Sequence, residues 1–169
     1  MSTRGGFRRF AFVVIGVALA GAGCGTSAAD RPPVAGTDRQ ADVAEKGASV
    51  MPFDLERTTH VFSDEPWGGE QRVISDGAEA DQIALIRSHL AEEAGRFSRG
   101  DFLSPERIHG RDMPGLDVLR ASAEALEIRY SDVENGGVIA YRSPDARVIA
   151  ALHAWFAAQR ADHGSHAGH

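Results

Sequence analysis

This chain of 169 residues contains one cysteine, one lysine, two tyrosines and two tryptophans. A lone thiol forms no intrachain disulfide, completes no Cys-rich zinc site and holds no iron–sulfur cluster. There is no G-x-S-x-G nucleophile elbow, no glycine-rich phosphate loop placed after a strand, and no His-Pro dipeptide. No apolar run reaches the roughly 20 residues a membrane-spanning helix requires. The most apolar stretch, FAFVVIGVALAGA at residues 10–22, is 13 residues long.

That stretch follows Arg4, Arg8 and Arg9 and runs into Gly23 and Cys24. A positive start, a short apolar core and small residues before a cysteine make a secretory signal of the bacterial lipoprotein type. The sequence therefore predicts cleavage after Gly23, acylation of Cys24 and a cell-membrane location facing the extracytoplasmic side. Leu19 lies five residues before Cys24, two positions earlier than such signals usually place it. The alternative is an ordinary secreted protein with an incidental cysteine. Acylation consumes the only thiol, so a mature site of the blue-copper type and a cysteine nucleophile are both excluded.

Three of the 18 basic residues and none of the 24 acidic ones lie in residues 1–23, which leaves the mature chain with 15 against 24. That acidic balance argues against nucleic acid and anionic headgroups as partners and favours the approach of cations. Residues 25–49 have no large apolar side chain except two valines and read as a flexible tether between lipid and domain. A single domain is expected over residues 50–163, followed by a His-rich tail at residues 164–169.

Within that domain the pattern predicts an α+β fold. Residues 57–63 and 70–75 are rich in β-formers and flank a Pro- and Gly-containing turn, as in a β-hairpin. Asp76 and Glu79 suggest a capping box, and Ile83, Ile86, Leu90, Ala94 and Phe97 form one helical stripe that Gly100 ends. The plan recurs. Residues 126–131 and 138–142 flank a second Gly-Gly turn. Ser143 and Pro144 then suggest a helix start, with Val148, Leu152, Trp155 and Gln159 on one side. Phe62-Ser63-Asp64 matches Tyr130-Ser131-Asp132, and Gly68-Gly69 matches Gly136-Gly137, both at an offset of 68. Two β-hairpin–helix units forming one antiparallel four-stranded sheet packed against helices are the expectation, with convergent hairpin turns as the competing explanation.

Seven histidines, all in the mature chain, are the chemically informative feature. Imidazole is the commonest side-chain ligand of transition metals. His109 and Met113 share a short loop, a nitrogen–thioether pairing that suits copper. His60 alternates with Thr58 and Phe62 in the first strand, and His153 sits at helical spacing between Ile149 and Phe156. His163, His166 and His169 recur every third residue through the tail, as an accessory chelator would. The candidate metal set is therefore His60, His109, Met113, His153 and His163, for copper before zinc. For each of these, a hydrogen-bonded structural histidine is the competing reading. His89 and the pair Glu92-Glu93 read as solvated helix flank.

Four segments, VMPFDLERTTHVF (50–62), DQIALIRSHLAEEA (81–94), IHGRDMPGL (108–116) and ALHAWFAAQRADHG (151–164), resemble a family of small secreted bacterial proteins. Its members often carry the label aspartate carbamoyltransferase. The resemblance implies no catalytic residues. The label implies an S-T-R-T-type loop at a helix start and a His-Pro segment, whereas Arg57-Thr58-Thr59 stands in a predicted strand. The sequence expectation is thus a membrane-anchored extracytoplasmic protein that binds a transition metal. A non-catalytic envelope interaction module with an unspecified protein partner is the alternative. An enzyme, with a histidine base as its only candidate group, comes third.

Overall fold

The computed structural model describes residues 35–164, with side chains from Asp38 onward, and the backbone of Ala167–Gly168. The signal segment and Cys24 lie outside the described residues, as do His166 and His169. Among the described residues, five α-helices and five β-strands follow in order: α1 (Ala35–Val50), β1 (Thr58–Glu65), β2 (Gly68–Ser75), α2 (Ala80–Phe97), α3 (Leu103–His109), α4 (Leu116–Ala121), β3 (Glu127–Val133), β4 (Gly136–Arg142), α5 (Ala146–His163) and β5 (Ala167–Gly168). Among the described residues, no helix is long and apolar enough to cross a membrane.

The architecture is α+β: two hairpins, β1–β2 and β3–β4, join through β2 and β4 into an antiparallel four-stranded sheet packed against helices. The two-residue β5 adds in parallel to the outer edge of β1, with Ala167 opposite His60. The offset of 68 is built into the register. Glu65 pairs with Gly68 in the first hairpin, and Val133 pairs with Gly136 in the second. At the β2–β4 seam Gln71 pairs with Ile139, its own counterpart at that offset, and Gly68 and Gly136 pair with Arg142 and Ile74, again counterparts of each other. A pseudo-twofold axis therefore passes between Gln71 and Ile139.

The helices obey the same symmetry in exchanged form. Arg87, in the second turn of α2, donates from its Nη2 to the Val133 carbonyl at 2.6 Å and from its Nε to the Gly136 carbonyl at 3.1 Å. His153 stands at the same place in α5, and its Nε2 donates to the Gly68 carbonyl at 2.7 Å. Each helix is thus pinned to the turn of the other unit's hairpin.

The core fills the space between sheet and helices. Phe62 and Val73 from the first hairpin and Ile139 and Tyr141 from the second meet Ile86 and Leu90 of α2 and Leu152, Trp155 and Phe156 of α5. Trp155 sits edge-on to Phe97 and Phe102, at centroid distances of 6.0 and 5.7 Å, an arrangement the ring quadrupoles favour. The helix starts differ from the sequence expectation. Asp76 accepts from the Thr59 hydroxyl and leaves Glu79 as the N-cap of α2, and Asp145, whose carboxylate accepts from the Arg147 amide, caps α5 in place of Ser143. Ser143 instead bonds the Ala125 carbonyl at 2.8 Å.

The expected tether over residues 25–49 is corrected from Ala35 onward, where α1 begins. Ala, Gln, Glu and Lys are good helix formers, and Lys46 reaches Asp42 one turn back at 2.6 Å. The helix has little apolar surface, and Val43 is the one buried aliphatic side chain among its described residues. Polar ties hold it instead. Arg39 grips Asp162, and Gln40 donates to the Ala161 carbonyl at the end of α5.

Candidate functional site

The carboxyl-terminal ends of α3 and α5 meet the inward face of β1. His60 reaches that point by alternation, on the buried side with Thr58 and Phe62. His109 closes α3, and its chain turns away at Gly110. His163 closes α5, capped by Gly164. The three imidazoles lie in series. The His60 and His163 ring centroids are 4.7 Å apart, and those of His109 and His163 are 5.2 Å apart in an edge-on arrangement.

His109 is oriented by a carboxylate that sequence reasoning passed over. Its Nδ1 lies 2.9 Å from Asp162 Oδ2, and the two side chains are 2 % and 7 % exposed. Arg39 of α1 donates to both Asp162 oxygens, at 2.5 and 2.6 Å, and to the His109 carbonyl at 3.1 Å. Burial would raise the Asp162 pKa, but the hydrogen bonds from Arg39 and His109 outweigh it and hold the carboxyl below its ordinary value. Burial also pushes His109 below the ordinary imidazole value, against the pull of Asp162. The favoured state is a neutral ring that donates from Nδ1 to an ionised carboxylate and presents Nε2 as the lone-pair nitrogen.

A pocket of about 40 Å³ runs inward from this cluster and is lined by His60, His109 and His163 together with His89, Glu93 and Trp155. Two further recesses share its histidines. One of about 240 Å³ lies beneath α1 and includes His60 and His163, and one of about 420 Å³ lies along the 110–114 loop and includes His109.

Two residues read as solvated are corrected here. His89 stands on the wall of the inner pocket, edge-on to Phe53 at 5.6 Å, and burial lowers its pKa. Glu93 is 6 % exposed and accepts from the Ser104 hydroxyl at 2.9 Å, and burial raises its pKa. Their polar identity hid this. Only the spacing of Glu93 with Leu90, Ala94 and Phe97 carried a signal that it belongs to the buried stripe.

The predicted metal set divides. His60, His109 and His163 come together. His153 does not join them: it is ten residues from His163, about 15 Å along α5, and it serves the hairpin turn. Met113 is 6 % exposed and packs with the core cluster while also lining the recess along the loop. Among the described residues, no group of three or more His, Cys, Asp or Glu side chains is arranged to hold a metal ion.

The half-buried His89 sets a direction for acid sensitivity. His89 has a depressed pKa in the fold, so its contribution is complete above the ordinary value of 6.5 and is lost as the pH falls through the folded value. Glu93, with a raised pKa, acts oppositely: its contribution is complete below the ordinary 4.5 and is lost as the pH rises through the folded value. Thermal unfolding of metal-free protein is expected at lower temperature at pH 5 than at pH 7. His89→Gln should shrink that difference, and an unchanged difference would remove His89 from the explanation.

No protein-family model, curated protein or solved structure matches this chain.

Proposed function

We propose that this is a lipid-anchored extracytoplasmic protein that binds a divalent transition-metal ion, copper before zinc, through His163 with His60 and His109 on either side. The observation that carries the reading is the Asp162–His109 hydrogen bond beside two further imidazoles. A carboxylate on one ring nitrogen fixes the tautomer, aims the other nitrogen and makes it more basic, as in carboxylate–histidine–metal arrangements.

Ring spacing supports it. Two imidazoles on adjacent positions of one ion, each bound at about 2.0–2.1 Å, hold their centroids roughly 4.5–5 Å apart. The two measured separations, 4.7 and 5.2 Å, lie close to that range. No three donors converge beforehand among the described residues, so binding requires ring rotation and closure of His60 and His109 on His163. An all-imidazole set suits copper(II), nickel(II) and zinc, and the intrinsic order of affinities puts copper(II) above zinc. The thioether argument for copper is set aside, because Met113 is packed in the core.

Calorimetric titration of the full chain with copper(II) and with zinc tests the reading. His109→Ala is expected to weaken binding roughly a hundredfold, whereas His153→Ala should leave it within about twofold. A chain ending at Gly164 separates the cluster from the last two imidazoles of the tail. Equal binding by wild type and His109→Ala would sink the proposal and favour the interaction module, with its histidines as structural residues.

A further inference from the structure

The inner end of the histidine-lined pocket has its own chemistry. Trp155 is 0 % exposed and lines the pocket, yet its indole Nε1 has no hydrogen-bond partner among the described residues. Glu93 and Gln159, 6 % and 4 % exposed, line the same space. So does Gln71, whose carbonyl oxygen already accepts from the Tyr141 hydroxyl at 2.8 Å, which leaves its amide nitrogen as the donor to be used. Val73, Leu90 and Phe97 add apolar wall.

A buried N–H without a partner is destabilising, and folded proteins nearly always supply one in the form of protein, water or ligand. Here Trp155 lines a pocket of about 40 Å³, enough for about three waters at roughly one probe sphere each. Its polar groups are the Gln71 and Gln159 amides, the Trp155 indole, the Ser104 hydroxyl, the imidazoles of His60, His89, His109 and His163, and a Glu93 carboxyl that burial inclines to hold its proton. A charged guest would lose its hydration there with no fixed counter-charge inside. A neutral guest with one strong acceptor and one donor loses less and meets both kinds of partner.

We infer that the inner pocket is a binding site for a small uncharged molecule of the amide or urea class, whose carbonyl accepts from the Trp155 indole N–H and whose amide group hydrogen-bonds the Glu93 carboxyl. The site shares its pocket with the proposed metal ligands His60, His109 and His163, but Trp155, Glu93, Gln71 and Gln159 are not themselves proposed ligands of the ion.

The chain has two tryptophans, so its nitrogen-15-labelled form gives two indole N–H signals. Trp67 sits outside the pocket in the β1–β2 turn, beneath the Arg142 guanidinium, and serves as the internal control. Titrating the full chain with formamide or acetamide should move the Trp155 signal along a saturating curve while the Trp67 signal stays in place. Hexanamide, too long for the space, should not move it at matched concentration. Glu93→Leu should weaken formamide binding at least tenfold while its own Trp155 signal persists, which reports an intact core. A Trp155 signal that does not move, or that drifts without saturation in step with Trp67, shows water as the sole occupant and overturns the inference. Unchanged affinity in Glu93→Leu, or equal binding of hexanamide, overturns it too.

Discussion

Asp162→Ala is expected to loosen both the fold and the proposed metal site. The substitution leaves His109 Nδ1 without its acceptor and releases Arg39, so α1 loses its strongest tie to the end of α5. Breaking a fully buried ion pair costs about 3–5 kcal/mol, but Arg39 is half exposed, and a loss of about 2 kcal/mol is the expectation. For a domain of this size that lowers the thermal midpoint by roughly 6–10 °C. On the proposed metal reading, copper(II) affinity should fall by about 10- to 100-fold, the usual effect of losing a carboxylate behind a ligating histidine. The stability part depends on pH in a defined direction. The Asp162 pKa is depressed in the fold, so its contribution is complete above the ordinary 3.8 and disappears as the pH falls through the folded value. Circular-dichroism melts at neutral and strongly acidic pH, with calorimetric copper titration at neutral pH, measure both effects. Wild-type midpoint and affinity in the variant would show that the Arg39–Asp162–His109 chain holds neither α1 nor the imidazole.

Gly115→Ala is expected to be the more damaging change to folding. Gly115 has φ +79°, and a Cβ there would stand 2.0 Å from the Ala151 carbonyl oxygen. The position lets the chain leaving the His109 loop enter α4 directly against the backbone of α5. The left-handed conformation costs a non-glycine residue about 1–2 kcal/mol, and the backbone clash adds about 1–3 kcal/mol. A combined loss of roughly 2–5 kcal/mol is a large part of the 5–15 kcal/mol that holds a typical domain together. Gly110 separates the two causes. Its φ of +92° with ψ 167° is backbone that essentially only glycine adopts, but a Cβ there meets nothing within 4 Å, so Gly110→Ala should lose only the conformational part, about 1–3 kcal/mol. Urea unfolding of the three proteins should rank them wild type, Gly110→Ala, Gly115→Ala. Equal losses in the two variants would mean that the approach to Ala151 relaxes without cost.

Period-two and period-3.6 patterns read short-range structure well in this chain. Thr58, His60 and Phe62 take the inward side of β1 because successive side chains on a strand must alternate. Ile86, Leu90, Ala94 and Phe97 fall on the buried side of α2 because three- and four-residue steps share a helix face. The turn glycines at an offset of 68 located both hairpins and the internal repeat, since each Gly-Gly pair opens the second strand of its hairpin. Where polar side chains were buried, the same patterns failed. Glu93 and His89 look solvated until α3 and the Phe53 segment cover them. The residues before Val50 look like tether, because a helix held by Arg39 and Gln40 needs no apolar stripe.

The amino-acid sequence by itself determined the class of the fold, the two hairpin–helix units, the sheet face on which His60 lies, and the limit that one cysteine places on any metal site. Those follow from interactions between residues a few positions apart, or from what the chain does not contain. Tertiary structure alone decided which histidines meet. His109 and Asp162 are 53 positions apart, and His60 and His163 more than a hundred, so no local period relates them. The pseudo-twofold exchange of helices sends His153 to a hairpin turn as the counterpart of Arg87, and the meeting of two helix ends with β1 sends His163 to the cluster. Both histidines belong to the same helix, and only packing separates the structural one from the candidate ligand.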